Sequence, residues 1–136
     1  MPRIIAIDYG AKRTGLAWTD PLQMIATGIG SIDTVLLDQK LAELFSRETI
    51  SEIVVGYPTR MDGTDTHITE AVRQLAAQLE KKYPGVGIHL RDERFTSKMA
   101  FQTMIDAGLS KKKRQDKHLI NQISATIILQ EFLESR

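Results

Sequence analysis

Apolar positions recur along this chain in two rhythms. Residues 3–8, RIIAID, form a β-branched run with little polar alternation, the pattern of a strand buried on both faces. Tyr9-Gly10-Ala11-Lys12 supplies a turn into a second run, TGLAWTD, so two antiparallel strands are expected. QMIATGIGSI reads as a third strand, with Pro21 in the turn before it. Asp33-Thr34 stand ready to cap a helix over about 35–47, where Leu36, Leu37, Leu41, Leu44 and Phe45 fall at helical spacing.

The rhythm then alternates. SEIVVGYP is a short buried strand stopped by Gly56 and Pro58, and the polar loop TRMDGTDTH follows at its end. A helix over about 66–82 carries Ile68, Val72, Leu75, Ala76 and Leu79 on one face and stops before Pro84-Gly85; VGIHLRDE is a fifth strand. Thr96 or Ser97 can cap the helix KMAFQTMIDAG, whose Gly108 suits the position just past a helix end. LSKKKRQDKH interrupts the apolar pattern, and LINQISATIILQEFLE closes the chain as an amphipathic helix with Ile120, Ile123, Ile127 and Ile128 expected on the sheet. Three strands, then helix, strand, helix, strand and closing helices predict an α/β fold: a mixed five-stranded sheet flanked by helices.

Composition narrows the class without naming a function. A chain of 136 residues is expected to be one domain, 1–136, able to bury about two-thirds of its unfolded surface. Hydrophobic residues at 42% and charged residues at 26% match a soluble globular protein and exclude a disordered or fibrous one. The net charge of +1 neither demands nor excludes a nucleic-acid partner, so any electrostatic argument rests on where charges cluster. Without cysteine there is no disulfide framework and no thiolate metal site. No secretory signal pattern and no run of about 18 apolar residues is present, and a cytoplasmic location is expected.

Candidate chemistry gathers at strand ends. Asp8 closes the first strand and Glu93 the fifth, where open α/β sheets build their sites. Alternation along an extended segment lets only one of Asp92 and Glu93 face such a site; Glu93 is taken as the one, with Asp92 turned toward Arg91 or Arg94. Hard oxygen ligands there suit Mg2+ or Mn2+, and two such ions can clamp the attacking and leaving oxygens of a phosphodiester. Taken singly, each acid reads equally well as a turn or capping residue. Gly10, Lys12 and Arg13 beside Asp8 favour a phosphate, because glycine allows close backbone approach and the cations can hold the anion.

Four segments, AIDYGAKRTGLAW, VVGYPTRMDGT, DERFTSKMA and ISATIILQEFLE, stand in the order and at about the spacing of the YqgF-type family, which this chain resembles over essentially its whole length. Members are described as Holliday-junction resolvases and pre-16S rRNA nucleases. The resemblance implies a ribonuclease H-like fold and divalent-metal-dependent cutting of nucleic acid. Residue by residue, Asp8 matches the first-strand acid and Glu93 the acid of the DER motif, both assigned to metal binding. Lys12, Arg13 and Arg94 match basic motif positions, read either as phosphate-holding or as ion-pair partners of neighbouring acids. Gly56 and Asp62-Gly63 match the middle motif, the latter as a turn. The family's third acid, at the start of the last helix, is replaced by Asn121, which keeps a carbonyl oxygen but no charge and leaves a weakened third metal position.

Lys111, Lys112, Lys113 and Arg114 make a local positive cluster, read as a nucleic-acid backbone contact or as solvated surface. Tyr9, Trp18 and Phe95 can stack on bases, although packing suits Trp18 and Phe95 better; His67, His89 and His118 have no zinc-like partners at motif spacing. The leading reading is a metal-dependent endonuclease acting on structured RNA or branched DNA, as a monomer or homodimer. The alternative is a nucleic-acid-binding protein of the same fold with weak or lost cleavage, which Asn121 favours. A phosphate loop of the actin-like ATPase kind ranks last, because that machinery needs two lobes.

Overall fold

The computed structural model describes residues 2–57, 67–93 and 96–136. The apolar runs become β1 (Arg3–Asp8), β2 (Arg13–Thr19), β3 (Ala26–Asp33), β4 (Ile50–Tyr57) and β5 (Gly87–Asp92). The helical repeats become α1 (Leu37–Arg47), α2 (His67–Lys82), α3 (Thr96–Asp106), α4 (Lys111–Arg114) and α5 (Lys117–Ser135). The strands form one sheet in the order β3-β2-β1-β4-β5. β1 runs antiparallel to β2, and β2 to β3, whereas β1–β4 and β4–β5 are parallel. The mixed five-stranded sheet expected from the sequence is therefore present, with β1 at its centre.

Central placement explains the unalternating RIIAID run, since Ile4, Ile5, Ala6 and Ile7 are all fully buried. Ile5, Ile7, Leu16, Ile53 and Val55 point to one face, where Leu37, Leu41 and Leu44 of α1 and Val72, Leu75 and Leu79 of α2 cover them. Ile4, Ala6, Ala17 and Val54 point to the other, against Ala125, Ile128 and Leu129 of α5. The second face is paved with small side chains, which lets α5 sit low on the sheet.

Several boundaries differ from the sequence reading. Residues 23–25 are not strand: the Asp20 carboxylate accepts from the Met24 and Ile25 amides at 2.9 and 2.7 Å and holds them in the β2–β3 loop. Asp33 and Thr34 do not cap α1. A single 3₁₀ turn, Thr34–Leu36, precedes the helix, Asp33 makes no capping bond, and the Thr34 hydroxyl donates instead to the Gly10 carbonyl at 2.6 Å. α3 runs over Thr96–Asp106, and the side chains of Thr96 and Ser97, expected as caps, lie outside the described residues. Its end follows expectation: Gly108 has φ +75, and the Gly108 and Leu109 amides donate to the Ile105 and Met104 carbonyls, a Schellman ending.

The closing helix needs the largest correction. LSKKKRQDKH is not a plain interruption, because it holds α4 and the start of α5. The surface α5 turns to the sheet is Ser124, Ala125, Ile128 and Leu129, with Ile120, Ile123 and Ile127 only half-buried, and α3 also packs on this helix. No helix among the described residues is long and apolar enough to cross a membrane.

Candidate metal and nucleic-acid site

One row of residues crosses the sheet at the carboxyl end of β1. Asp8 is in register with Gly15 on β2 and Gly56 on β4; Gly15 is paired in turn with Ser31 on β3, and Gly56 with Arg91 on β5. Residues in register share a face, so Asp8 lies between two glycines on the side that α5 covers. Neither glycine can be larger. A Cβ on Gly15 would strike the backbone carbonyl of Asn121, and one on Gly56 would strike the Ile128 side chain and stand 3.0 Å from Glu93 Cγ.

Glu93 follows β5 directly, its amide donating to the Tyr57 carbonyl at 2.9 Å. Two residues beyond Arg91, it returns to the Asp8 side of the sheet, as alternation requires. It is buried, whereas Asp92 is exposed. Its stem passes over Gly56, next to Asp8. The two acids, far apart in sequence, are thus neighbours. Burial first, and then the Glu93 charge, push the Asp8 carboxyl up to about 7.

Arg91 is the cation beside this pair. Its Nε stands 3.7 Å from Glu93 Oε1, its Nη2 3.9 Å from Glu131 Oε2, and its Nη1 donates to the Ser135 hydroxyl at 2.9 Å. Of the two partners expected for Asp92, Arg91 is carried to Glu93 by the same strand alternation that selects Glu93 for the site, and Arg94 lies outside the described residues.

Arg13 is half-buried at the start of β2 and alternates onto the same face as Gly15, and Lys12 is exposed in the turn before it. Neither forms an ion pair among the described residues. Arg94, Phe95 and Asp62-Gly63 lie outside the described residues. Tyr9 and Trp18 both pack against the core, and the Arg3 guanidinium lies 4.2 Å from the centre of the Trp18 ring.

Asn121 does not open its helix. α5 begins at Lys117 behind Asp116, whose Oδ1 accepts from the His118 and Leu119 amides at 3.0 and 3.4 Å. Asn121 is one turn in, with its backbone on Gly15, beside Asp8 in the register. The helix start is tied to β3 by His118 Nδ1, 3.0 Å from the Ser31 hydroxyl. Lys111, Lys112 and Lys113 are exposed on α4, which Ser110 caps by accepting from the Lys113 amide. Arg114 is half-buried and donates to the Leu109 carbonyl at 2.9 Å. Among the described residues no group of three or more His, Cys, Asp and Glu forms a cluster, so Asp8 and Glu93 stand as a pair.

An acid pair at the carboxyl end of a sheet ordered 3-2-1-4-5, with helices on both faces, defines a ribonuclease H-like α/β protein. A chain of the T. thermophilus RuvC structure in complex with a Holliday junction substrate shares this fold, with a TM-score of 0.57 at 13% identity, covering 99% of this chain and 98% of that one. The chain belongs to the RuvX family, whose model, described as a Holliday junction resolvase, matches residues 2–135. Relatives include proteins of Flavobacterium psychrophilum, 47% identical over 98% of this chain and 97% of theirs, and Christiangramia forsetii, 49% identical over 98% of each. Both carry the name "Putative pre-16S rRNA nuclease".

Proposed function

We propose that this protein is a divalent-metal-dependent endonuclease of structured nucleic acid, acting in 16S rRNA precursor processing or on branched DNA, with its site on one cytoplasmic domain. The observation that carries the reading is the convergence of Asp8 and Glu93 on one face, with the Asp8 carboxyl pushed up to about 7. Two carboxylates at such close quarters repel one another and strain to share a proton. A hard cation relieves that repulsion by taking both as oxygen ligands, so the residues present fit Mg2+ or Mn2+.

Asp8 and Glu93 would hold the ion, which when bound supplies Lewis acidity and lowers the pKa of coordinated water. Arg91, with its Nε 3.7 Å from Glu93 Oε1, would orient the Glu93 carboxyl. Arg13, Lys12 and Arg94 would hold substrate phosphates near the acids. Lys111, Lys112, Lys113 and Arg114 would carry the flanking backbone, Arg114 only in part because its Nε is buried and its Nη1 donates to the Leu109 carbonyl.

The test is a manganese titration of cleavage on precursor 16S rRNA and on a four-way junction, comparing wild type, Asp8→Asn and Glu93→Gln. Loss of cleavage by at least about a hundredfold in both variants, with unchanged folding, is the expected result; metal-independent cutting, or full activity in Asp8→Asn, overturns the assignment. Asn121 favours a second reading, binding with weak cleavage, because no third acid joins the pair among the described residues. Asn121→Asp in the same assay separates the two: a gain in rate and in Mn2+ affinity marks a weakened nuclease.

A further inference from the structure

Ser124 is an oxygen that neither the fold nor the reading above employs. It is 1% exposed, and its hydroxyl is buried without a hydrogen-bond partner. Hydroxyls inside helices ordinarily satisfy themselves on the carbonyl one turn back. Thr126 does so on Gln122 and Thr103 on Met99, each at 2.9 Å, yet Ser124, the most buried of the three, does not. An unmet buried hydroxyl is destabilising, so a partner or an occupant is owed to it.

The contacts of α5 fix what lies beneath it. Asn121 rests on Gly15 of β2 and Ile128 on Gly56 of β4, both in the row that contains Asp8. From Asn121 to Ile128 the helix rises about 10 Å. The two strand spacings from β2 to β4 also come to about 10 Å. Midway between them, on the same helix face, is Ser124, and midway between β2 and β4 is β1 with Asp8. On the other side of that line Gln122 meets Gly28, while Ala125, Ile128 and Leu129 share a cluster with Ile4, Ala6, Ala17 and Val54. Helix geometry therefore turns Ser124 toward the Asp8 end of β1.

We infer that Ser124 is a positioning residue of the acid-pair site: its hydroxyl, which makes no hydrogen bond in this structure, turns to donate to the Asp8 carboxylate when that group is ionised on a divalent cation, and holds it toward the ion. The inference rests on the cation reading of Asp8 and Glu93. With Asn121 uncharged, a neutral donor on Asp8 adds nothing to the repulsion between the acids and still limits rotation of the carboxylate.

Mn2+ binding to the metal-free chain, followed by electron paramagnetic resonance, tests this alongside thermal melting in chelator. The proteins are wild type, Asp8→Asn, Ser124→Ala and Ser124→Thr. Ser124→Ala removes one oxygen and adds nothing, so it folds; its melting temperature in chelator should equal or exceed wild type because an unmet polar atom is gone. The expected result is a loss of Mn2+ affinity of about tenfold in Ser124→Ala and a larger loss in Asp8→Asn. Ser124→Thr, where it folds, should recover most of the affinity because the hydroxyl is kept. If Asp8→Asn loses affinity and Ser124→Ala does not, the role of Ser124 is overturned while the cation site stands. If Asp8→Asn binds Mn2+ as wild type does, or wild type binds none, the cation reading falls and the inference with it.

Discussion

Asp8 shows how much one carboxyl can take from its surroundings. Its folded pKa of about 7 lies above the ordinary 3.8, so the folded chain holds the proton more tightly than the unfolded one. In chelator, the stability of wild type should therefore be highest below about pH 4, fall as pH rises toward 7, and level off above it, as far as this group is concerned. Asp8→Asn removes that slope. The variant should be more stable than wild type at pH 8, by up to about 4 kcal/mol for a shift of about three pH units, with the difference vanishing near pH 4. Urea melts at the two pH values check this. Added Mn2+ should raise the melting temperature of wild type and leave that of Asp8→Asn unmoved, since only a folded site with its acid gains from the ligand. A wild-type stability that is flat from pH 4 to 8 would show that neither burial nor the Glu93 charge raises the Asp8 carboxyl.

At the scale of elements, α5 does the assembling. Its start is fixed to β3 through His118 and Ser31, its middle rests on Gly15 and Gly56, and its end meets Arg91 through Glu131 and Ser135. The one helix thus touches the strand row on either side of Asp8. Asp116 caps it through Oδ1, which accepts from the His118 and Leu119 amides. Asp116→Ala should cost about 1 kcal/mol of stability, whereas Asp116→Asn, an equally good cap, should cost almost nothing. Neither should change Mn2+ affinity. A loss of Mn2+ binding in Asp116→Asn would instead make Asp116 a relocated third ligand. α4, just ahead, presents Lys111, Lys112 and Lys113 to solvent while Arg114 ties its last turn back to Leu109.

For the whole molecule, the net charge of +1 conceals a polarised surface, with the lysines of α4 leading into the helix that covers the acids. Replacing Lys111, Lys112 and Lys113 by Gln should lower the slope of log affinity against log salt by about 2 for an RNA or DNA substrate. Folding should hardly change, because exposed charges contribute little. Filter binding between about 50 and 200 mM salt reads the slope, and an unaltered slope would return the cluster to ordinary solvated surface. How much of this was legible in the chain beforehand follows from range. Unbroken apolar runs mark central strands and helical repeats mark covering helices, so the RIIAID strand, the mixed sheet and both candidate acids could be read from local pattern alone. Helix ends were less legible: Asp33 and Thr34 have the chemistry of caps, but Thr34 finds the Gly10 carbonyl, a partner that only the tertiary fold brings near. Arg91, one of two partners expected for Asp92, meets Glu93 for a similar reason, since adjacency in sequence suggested Asp92 while strand alternation delivered Glu93. Ser124 was printed within a recognised motif, yet its meaning depends on which residues of α5 stand over β1. That choice was made by the glycines at 15 and 56, which let the helix descend at two points and turned a serine toward the Asp8 end of β1. Sequence by itself determined the five strands, the longer helices and their order, and singled out the candidate acids, because those follow from local periodicity and residue chemistry. Only the tertiary structure decided which groups share the site, because burial, register and close approach are properties of pairs of segments that no single segment carries.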